Sequence, residues 1–281
     1  MKGVVTTTTP TTTATTTPRE PRIFYFGVTA LPNHDRALEA ERVWGHTLTP
    51  GGMVWYSTGH DSRFPKLHVL VPPSGGVSYN DLNPRMLLIW KHMYERNPGY
   101  DWYVRTWDDN FIFKARVEEV AKEYDHTKKI EIGRTGFHGG REFMGGGGSS
   151  LASGVLVKEF VEKIDKCSNE ATAIEDVLIS WCRVDQCQAT FIIDAAFNTF
   201  SPRPYGELNM YMSDLSCRRK YHFHLEDEPR LPATFHYVHK NAQAMIHKAW
   251  YETDCKDARN RTAEVAEFGG RGTDFGETVL V

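Results

Sequence analysis

The sequence predicts an α/β fold, a sandwich in which helices cover a mostly parallel central sheet. Strand-like apolar runs alternate with helical patterns through the first half of the chain, which is typical of such a sheet. The 281 residues are 40% hydrophobic and 12% aromatic, which is enough for one large core. A formal net charge of −3, spread over segments of mixed sign, argues against nucleic acid as the main partner.

The first half of the chain contains most of the predicted alternation. Apolar, aromatic-rich runs predict strands, and apolar residues at helical spacing between them predict helices. The predicted strands are residues 22–29, 53–57, 66–71 and 100–104, and the predicted helices are residues 33–44, 81–95 and a third from Asn110 to about residue 123.

The second half begins with a predicted strand at residues 129–132 and a glycine-rich loop that ends at residues 145–150. Consecutive glycines cannot form a stable strand or helix interior, so this loop either flexes as a linker or lets backbone approach a ligand closely. Helices are then predicted at residues 155–166, 174–184 and 241–251, and strands at residues 190–194 and 233–238.

The two ends of the chain differ in composition from its middle. Residues 1–20 are dominated by Thr and Pro and predict a flexible stalk, and residues 259–281 predict a flexible tail. The folded domain is therefore expected at residues 21–258. No run approaches the roughly 18 apolar residues of a membrane span, so a tethered protein would need an anchor upstream of this chain.

Two adjacent acids, Asp108 and Asp109, follow the aromatic strand at residues 100–104. Ligands of open α/β sheets bind beyond the carboxyl ends of strands. A Mg²⁺ or Mn²⁺ ion that holds a nucleotide diphosphate needs only one or two carboxylates. The acids thus predict a metal site, although an Asp that caps the helix from Asn110 is the alternative.

Five ordered blocks of the sequence together resemble the core 1 β1,3-galactosyltransferases, relatives of Fringe that work in the Golgi. The resemblance covers roughly residues 22–255, and the order and spacing of the blocks carry it. The blocks are residues 100–110, residues 143–149, Cys167 and Cys182 around residues 173–177, Phe200-Ser201-Pro202, and residues 234–238.

The resemblance implies a GT-A type fold and inverting transfer from a UDP-sugar with Mn²⁺. By position, Asp109 would be the metal carboxylate, and Asp108 would contact the metal or the ribose. His236 would complete the protein's share of the metal shell, and an imidazole with a carboxylate suits Mn²⁺ better than Ca²⁺. Without the matching block, a buried core histidine would be the preferred interpretation of His236.

Inverting transfer needs a base that takes the proton of the acceptor hydroxyl. By its position in the resemblance, Asp176 is the first candidate and Glu175 the second. The alternative is that both acids only stabilise the first turn of the helix that begins near Ile174, through the helix dipole.

The resemblance also implies a nucleotide pocket and a disulfide. Thr29, Arg85 and Arg134 would bind the donor. Cys167 and Cys182 would form a disulfide in an oxidising compartment, and a pair of free thiols is the cytosolic alternative.

Three departures from the family pattern are visible. Trp107 stands in place of the first of three acids, and Ser201 stands in place of a histidine. The segment between Phe200 and Phe235 is short, with Cys217 alone where the family has adjacent cysteines. The first hypothesis is a transferase that moves galactose in β1,3 linkage to a glycan of a glycoprotein in the Golgi lumen, as a monomer or a homodimer. The second is a non-catalytic relative that acts as a folding partner of an active transferase.

Overall fold

A computed structural model describes residues 19–49, 53–72, 75, 81–167, 174–197, 233–238 and 240–251, with the side chains of the last segment described at residues 242–248. Several features of the sequence therefore lie outside the described residues. These are residues 1–18 of the predicted stalk, the Phe200-Ser201-Pro202 block, the predicted tail, Cys217 and Cys255.

Strands make up the centre of the molecule. In chain order they are β1 (Ile23–Val28), β2 (Val54–Ser57), β3 (Leu67–Val69), β4 (Trp102–Trp107), β5 (Phe111–Ile112), β6 (Ile130–Gly133), β7 (Thr135–His138), β8 (Arg141–Met144), β9 (Ser150–Ser153), β10 (Thr190–Ile193) and β11 (Thr234–Phe235).

Seven of these strands form one sheet in the order β10-β6-β9-β4-β1-β2-β3. Only β9 runs antiparallel to its neighbours in this sheet, and the other pairs are parallel. This topology confirms the predicted α/β sandwich with a mostly parallel central sheet, as expected for a GT-A type fold.

Helices cover both faces of the sheet. They are α1 (His34–Ala40), which continues through a π-helical turn (Glu41–Gly45) into α2 (His46–Leu48), and then α3 (Leu82–Arg96), α4 (Lys114–Glu123), α5 (Gly154–Glu162), α6 (Glu175–Cys187) and α7 (Lys240–Tyr251).

Strand β1 shows why the sheet lies in the middle of the molecule, because all six of its residues are buried. Ile23 and Tyr25 pack in one apolar cluster with residues of α1, α4 and α7. Phe24 and Phe26, which point to the opposite face, pack in a second cluster with residues of α3, α5 and α6. Burial on both faces explains why this strand is apolar throughout rather than alternating.

The structure differs from the sequence prediction directly after the acidic pair. The helix predicted from Asn110 begins at Lys114, because Phe111 and Ile112 form β5 and pair antiparallel with β11. The helical interpretation of Asn110 is therefore wrong. The apolar residues Phe111 to Phe113 are fully buried or nearly so, and pairing with a distant strand overrides the local helical pattern.

The glycine-rich loop also contains more regular structure than predicted. Strands β7 and β8 form a hairpin, and β9 inserts between β4 and β6. The sequence Ser150-Leu-Ala-Ser has little strand propensity. Strand β9 therefore forms because it has a hydrogen-bonding partner on each side.

Cys167 and Cys182 form a disulfide with their Cα atoms 5.4 Å apart, so the predicted bond is present and the free-thiol alternative is not. The bond links the end of the α5 region to α6, the helix that begins with Glu175 and Asp176. Within the described part of the chain, no helix is both long and apolar enough to span a bilayer.

Candidate active site

Asp108 lies at the carboxyl end of β4 and is 4% exposed. Thr29 Oγ1 donates a hydrogen bond of 2.6 Å to its Oδ2 atom, and Arg36 Nη2 lies 2.8 Å from its Oδ1 atom. Burial raises the pKa of Asp108 to about 6, although Thr29 and Arg36 oppose this rise. The structure thus brings Thr29 and Asp108, two of the residues predicted for the donor site, into contact.

Asp109, the next residue, faces His236. The distance from Asp109 Oδ2 to His236 Nε2 is 3.6 Å, and both side chains remain partly open to solvent. Pairing of β5 with β11 brings these two segments together, and the Val238 amide donates to the Asp109 carbonyl at 2.6 Å. The predicted carboxylate and imidazole are therefore neighbours in the folded chain.

The Asp109–His236 pair fits a divalent ion of the Mn²⁺ type. Two ligands that are each about 2.1 Å from one ion lie roughly 3 to 4 Å apart, which includes the observed 3.6 Å. An oxygen and an imidazole nitrogen suit Mn²⁺. Among the residues that the structure describes, no three His, Cys, Asp or Glu side chains form a metal-binding group. An ion held here would therefore need phosphate oxygens and water to complete its shell.

A 3₁₀ turn at Gly146–Gly148 lies between His236 and Asp176. A Cβ atom at Gly147 would lie 2.5 Å from His236 Cε1, and one at Gly146 would overlap the Arg105 guanidinium. The Gly146 amide donates to Asp176 Oδ2 at 3.2 Å. The glycines therefore allow close approach, and the alternative of a loose linker does not fit this packing.

The two predicted acids of α6 differ in their surroundings. Glu175 is 4% exposed and forms a buried ion pair with Arg105. Burial raises the pKa of Glu175 to about 7, and Arg105 opposes this rise. Asp176 is half-buried and accepts hydrogen bonds from the amides of Gly146 and Val177. Of the two acids, Asp176 is the more accessible.

The predicted donor-binding arginines lie on different elements. Arg85 of α3 is 5% exposed, and its Nε and Nη1 atoms have no hydrogen-bond partner among the described residues. Burial lowers the pKa of Arg85, and the charges of Asp81 and Glu175 oppose this fall. Arg134 lies between β6 and β7, where its carbonyl accepts from the Gly145 amide at 2.7 Å. In the described part of the chain, its guanidinium makes no hydrogen bond to Asp108 or Asp109.

The sequence did not predict two arginines of the site, Arg36 and Arg105. Arg36, which pairs with Asp108, carries no local signal, because a helical arginine is usually solvated. Arg105, which pairs with Glu175, does carry one, since it is a charged residue within the apolar run of β4. A buried charge requires a partner, so Arg105 could have been used to predict a nearby acid.

Glu175 is expected to make the stability of the protein depend on pH. Its pKa is about 7 in the folded protein and roughly 4.3 in an unfolded chain. Between these values the folded protein holds a proton that the unfolded chain has lost, so the free energy of unfolding falls as pH rises. This contribution is on the order of 2 kcal/mol.

Chemical denaturation at about pH 5 and about pH 7.5 measures this dependence. The decrease in unfolding free energy between the two pH values should be smaller in Glu175→Gln than in the wild type. Glu162→Gln, a change at an exposed ion pair of α5, should leave the decrease unchanged. An equal decrease in the wild type and Glu175→Gln would contradict the assignment.

Comparison with known proteins gives a distant relationship. No protein-family model matches the chain. Chondroitin sulfate synthase 3 of Homo sapiens is 28% identical over 182 residues, which cover 58% of this chain and 20% of that protein. The Mus musculus protein of the same name is 26% identical over 179 residues, which cover 56% of this chain and 20% of that protein. The chain is thus homologous to about a fifth of these relatives. The narrower resemblance to the core 1 family stays a prediction.

Several solved structures of glycosyltransferases align with most of the chain. The apo form of GlyE from Streptococcus pneumoniae TIGR4 has a TM-score of 0.47 at 10% identity. The alignment covers 88% of this chain and 64% of the GlyE chain. A glycosyltransferase involved in the glycosylation of the major capsid of PBCV-1 has a TM-score of 0.47 at 10% identity, and the alignment covers 81% of this chain and 99% of that one. The galactosyltransferase LgtC, solved with donor and acceptor sugar analogs, has a TM-score of 0.46 at 12% identity. The alignment covers 84% of this chain and 99% of the LgtC chain. Similarities below a TM-score of 0.5 carry no argument about function.

Proposed function

We propose that the protein is an inverting glycosyltransferase that moves a sugar from a UDP-sugar to a glycan hydroxyl in β1,3 linkage. Galactose is the proposed sugar. One observation carries the proposal. Two consecutive glycines, Gly146 and Gly147, contact Asp176 on one side and His236 on the other. Transfer from a metal-bound diphosphate requires both a metal ligand and a base, and this turn contacts one candidate for each role.

Asp109 and His236 would hold the ion, for which Mn²⁺ is the proposed identity. A bound Mn²⁺ would stabilise the negative charge that develops on the departing diphosphate. Both side chains are partly open to solvent, and their facing atoms lie 3.6 Å apart. This arrangement lets a donor reach the ion without rearrangement of the strands that carry the two ligands.

Asp176 is the proposed base, which takes the proton of the acceptor hydroxyl as the anomeric carbon is attacked. Its carboxylate accepts two amide hydrogen bonds, and a two-oxygen acid retains lone pairs for a hydroxyl. Glu175 is a poorer candidate, because it is buried and its carboxylate pairs with Arg105.

Thr29, Asp108 and Arg85 would form the nucleotide side of the pocket. Asp108 is bound by Thr29 and Arg36, so its proposed role is contact with the ribose or the outer metal shell rather than sole ligation of the ion. Arg85, two of whose nitrogens have no hydrogen-bond partner among the described residues, would neutralise a phosphate or donate to the sugar. Arg134, which adjoins the glycine turn through Gly145, is proposed to face the diphosphate.

The proposed setting is the secretory pathway, with the Golgi lumen as the site of action and a glycoprotein or free glycan as acceptor. The disulfide between Cys167 and Cys182 supports an oxidising compartment. The transferase domain is proposed to cover residues 21–258, between a stalk and a tail, and a homodimer is compatible with the proposal.

Calorimetry with UDP and Mn²⁺, followed by a screen of UDP-sugar hydrolysis across donors with and without Mn²⁺, tests the proposal. Saturable UDP binding in the micromolar range that needs Mn²⁺, with turnover of UDP-galactose, is the expected result. Absence of UDP binding and of donor hydrolysis would contradict the proposal, and it is the result that the second function, a folding partner of an active transferase, predicts. The departure at Trp107 makes that second function worth testing.

A further inference from the structure

Trp107, the last residue of β4, occupies the position next to Asp108 where the family resemblance would place an acid. The side chain is half-buried and packs against one of the two core clusters. Its indole Nε1 atom donates a hydrogen bond of 3.2 Å to the Gly146 carbonyl. Trp107 therefore contacts the glycine turn directly.

Gly146 is held on both sides of its backbone. Its carbonyl accepts from Trp107, and its amide donates to Asp176 Oδ2. The Arg105 guanidinium fills the space that a side chain at this position would need. A shift of this residue toward or away from Trp107 would therefore move the amide that holds Asp176.

A second connection passes through Arg105. The guanidinium carbon of Arg105 lies 5.4 Å from the centre of the Trp107 ring, a distance at which a cation and an aromatic face attract each other. Arg105 also pairs with Glu175. Each of the two acids that begin α6 is thus linked to Trp107 through one intervening group.

We propose that Trp107 is a positioning residue that holds Asp176 in place for proton transfer through the Gly146 backbone, and that it holds the adjacent Glu175 through Arg105. This inference rests on the proposed function, because it concerns the same base. It assigns Trp107 a task that an acid could not perform. A carboxylate at residue 107 has no N–H group to donate to the Gly146 carbonyl, and it would compete with Glu175 for Arg105.

The test uses three variants of the full chain. Trp107→Phe retains an aromatic ring and loses the donor, Trp107→Asp restores the acid, and Trp181→Phe is the matched control. Trp181 lies on α6 beneath Arg141 and close to His138, neither of which belongs to the proposed machinery. The measurements are kcat and KM for the donor that the wild type turns over, the Kd of UDP with Mn²⁺, and amide hydrogen exchange of the peptide over residues 144–149.

The expected result for Trp107→Phe is a fall in kcat of about tenfold, the equivalent of one lost hydrogen bond. Its KM for the donor and its Kd for UDP should stay within about threefold. Amide exchange over residues 144–149 should be faster than in Trp181→Phe. Trp107→Asp should lose at least as much kcat as Trp107→Phe, whereas a missing metal ligand at this position would predict a gain.

An unchanged kcat in Trp107→Phe, or a higher kcat in Trp107→Asp, would overturn the inference while leaving the proposed function in place. A wild type that neither binds UDP nor turns over any donor would contradict the proposed function instead. In that case the exchange measurement still decides whether Trp107 holds the glycine turn, and equal exchange in Trp107→Phe and Trp181→Phe would show that it does not.

Discussion

Asp109→Ala is expected to lower Mn²⁺-dependent turnover of the UDP-sugar by about a thousandfold or more, because the ion would lose its carboxylate. Stabilisation of a developing charge by a metal ion is worth several kcal/mol, and each 1.4 kcal/mol corresponds to about a tenfold change in rate. Binding of UDP should also lose its dependence on Mn²⁺. Calorimetry at a series of Mn²⁺ concentrations and donor turnover measure the two effects.

Asp35→Ala is the matched control, since Asp35 is an exposed carboxylate that pairs with Arg63 on the surface. This variant should retain both UDP binding and turnover. His236→Ala should also lose Mn²⁺-dependent turnover, and adding it to Asp109→Ala should cost little more, because both residues serve one ion. If Asp109→Ala and His236→Ala each kept normal Mn²⁺-dependent turnover, the metal assignment would be wrong.

Asp176→Asn is expected to lower kcat by about 10² to 10⁴, the usual contribution of a general base. An asparagine side chain can still accept a hydrogen bond from the Gly146 amide, so the glycine turn should stay in place. Binding of UDP with Mn²⁺ should therefore change little. Steady-state kinetics with a glycan acceptor, together with UDP calorimetry, separate the loss of the base from a loss of donor binding.

Asp185→Asn provides the control, because Asp185 belongs to the same helix and forms an exposed ion pair with Arg141. Its kcat should equal that of the wild type. Comparison with Glu175→Gln then decides between the two neighbouring acids. Near-normal transfer by Asp176→Asn, with a large loss in Glu175→Gln, would reverse their assignment.

The local pattern of apolar residues predicts much of the fold. The run of buried residues in β1 and the aromatic run of β4 are strand-like at every position, and their burial on both faces explains this. The sequence also reveals the acidic pair, since Asp108 and Asp109 interrupt an apolar run where the strand ends. The strand β9 was not visible, because its sequence is small and polar and its pairing partners lie elsewhere in the chain.

The site was predictable only in its parts. The five ordered blocks of the sequence predict Asp109, His236 and Asp176 as site residues. Local sequence, however, contains no information about the distances between them. Pairing of β5 with β11 brings His236 to Asp109. The same pairing excludes the helix predicted from Asn110, so one long-range contact accounts for both the proximity of Asp109 to His236 and the error in the predicted helix.

Local sequence pattern was sufficient for the α/β class, the buried strands and the acids at the end of β4. These features depend on the propensity and hydrophobicity of adjacent residues. The roles of Glu175 and Asp176, the partners of Arg36 and Arg105, and the contact of Trp107 with Gly146 depend on folding. Burial and hydrogen bonding between distant segments set the environment of each of these groups, and no short stretch of sequence encodes that environment.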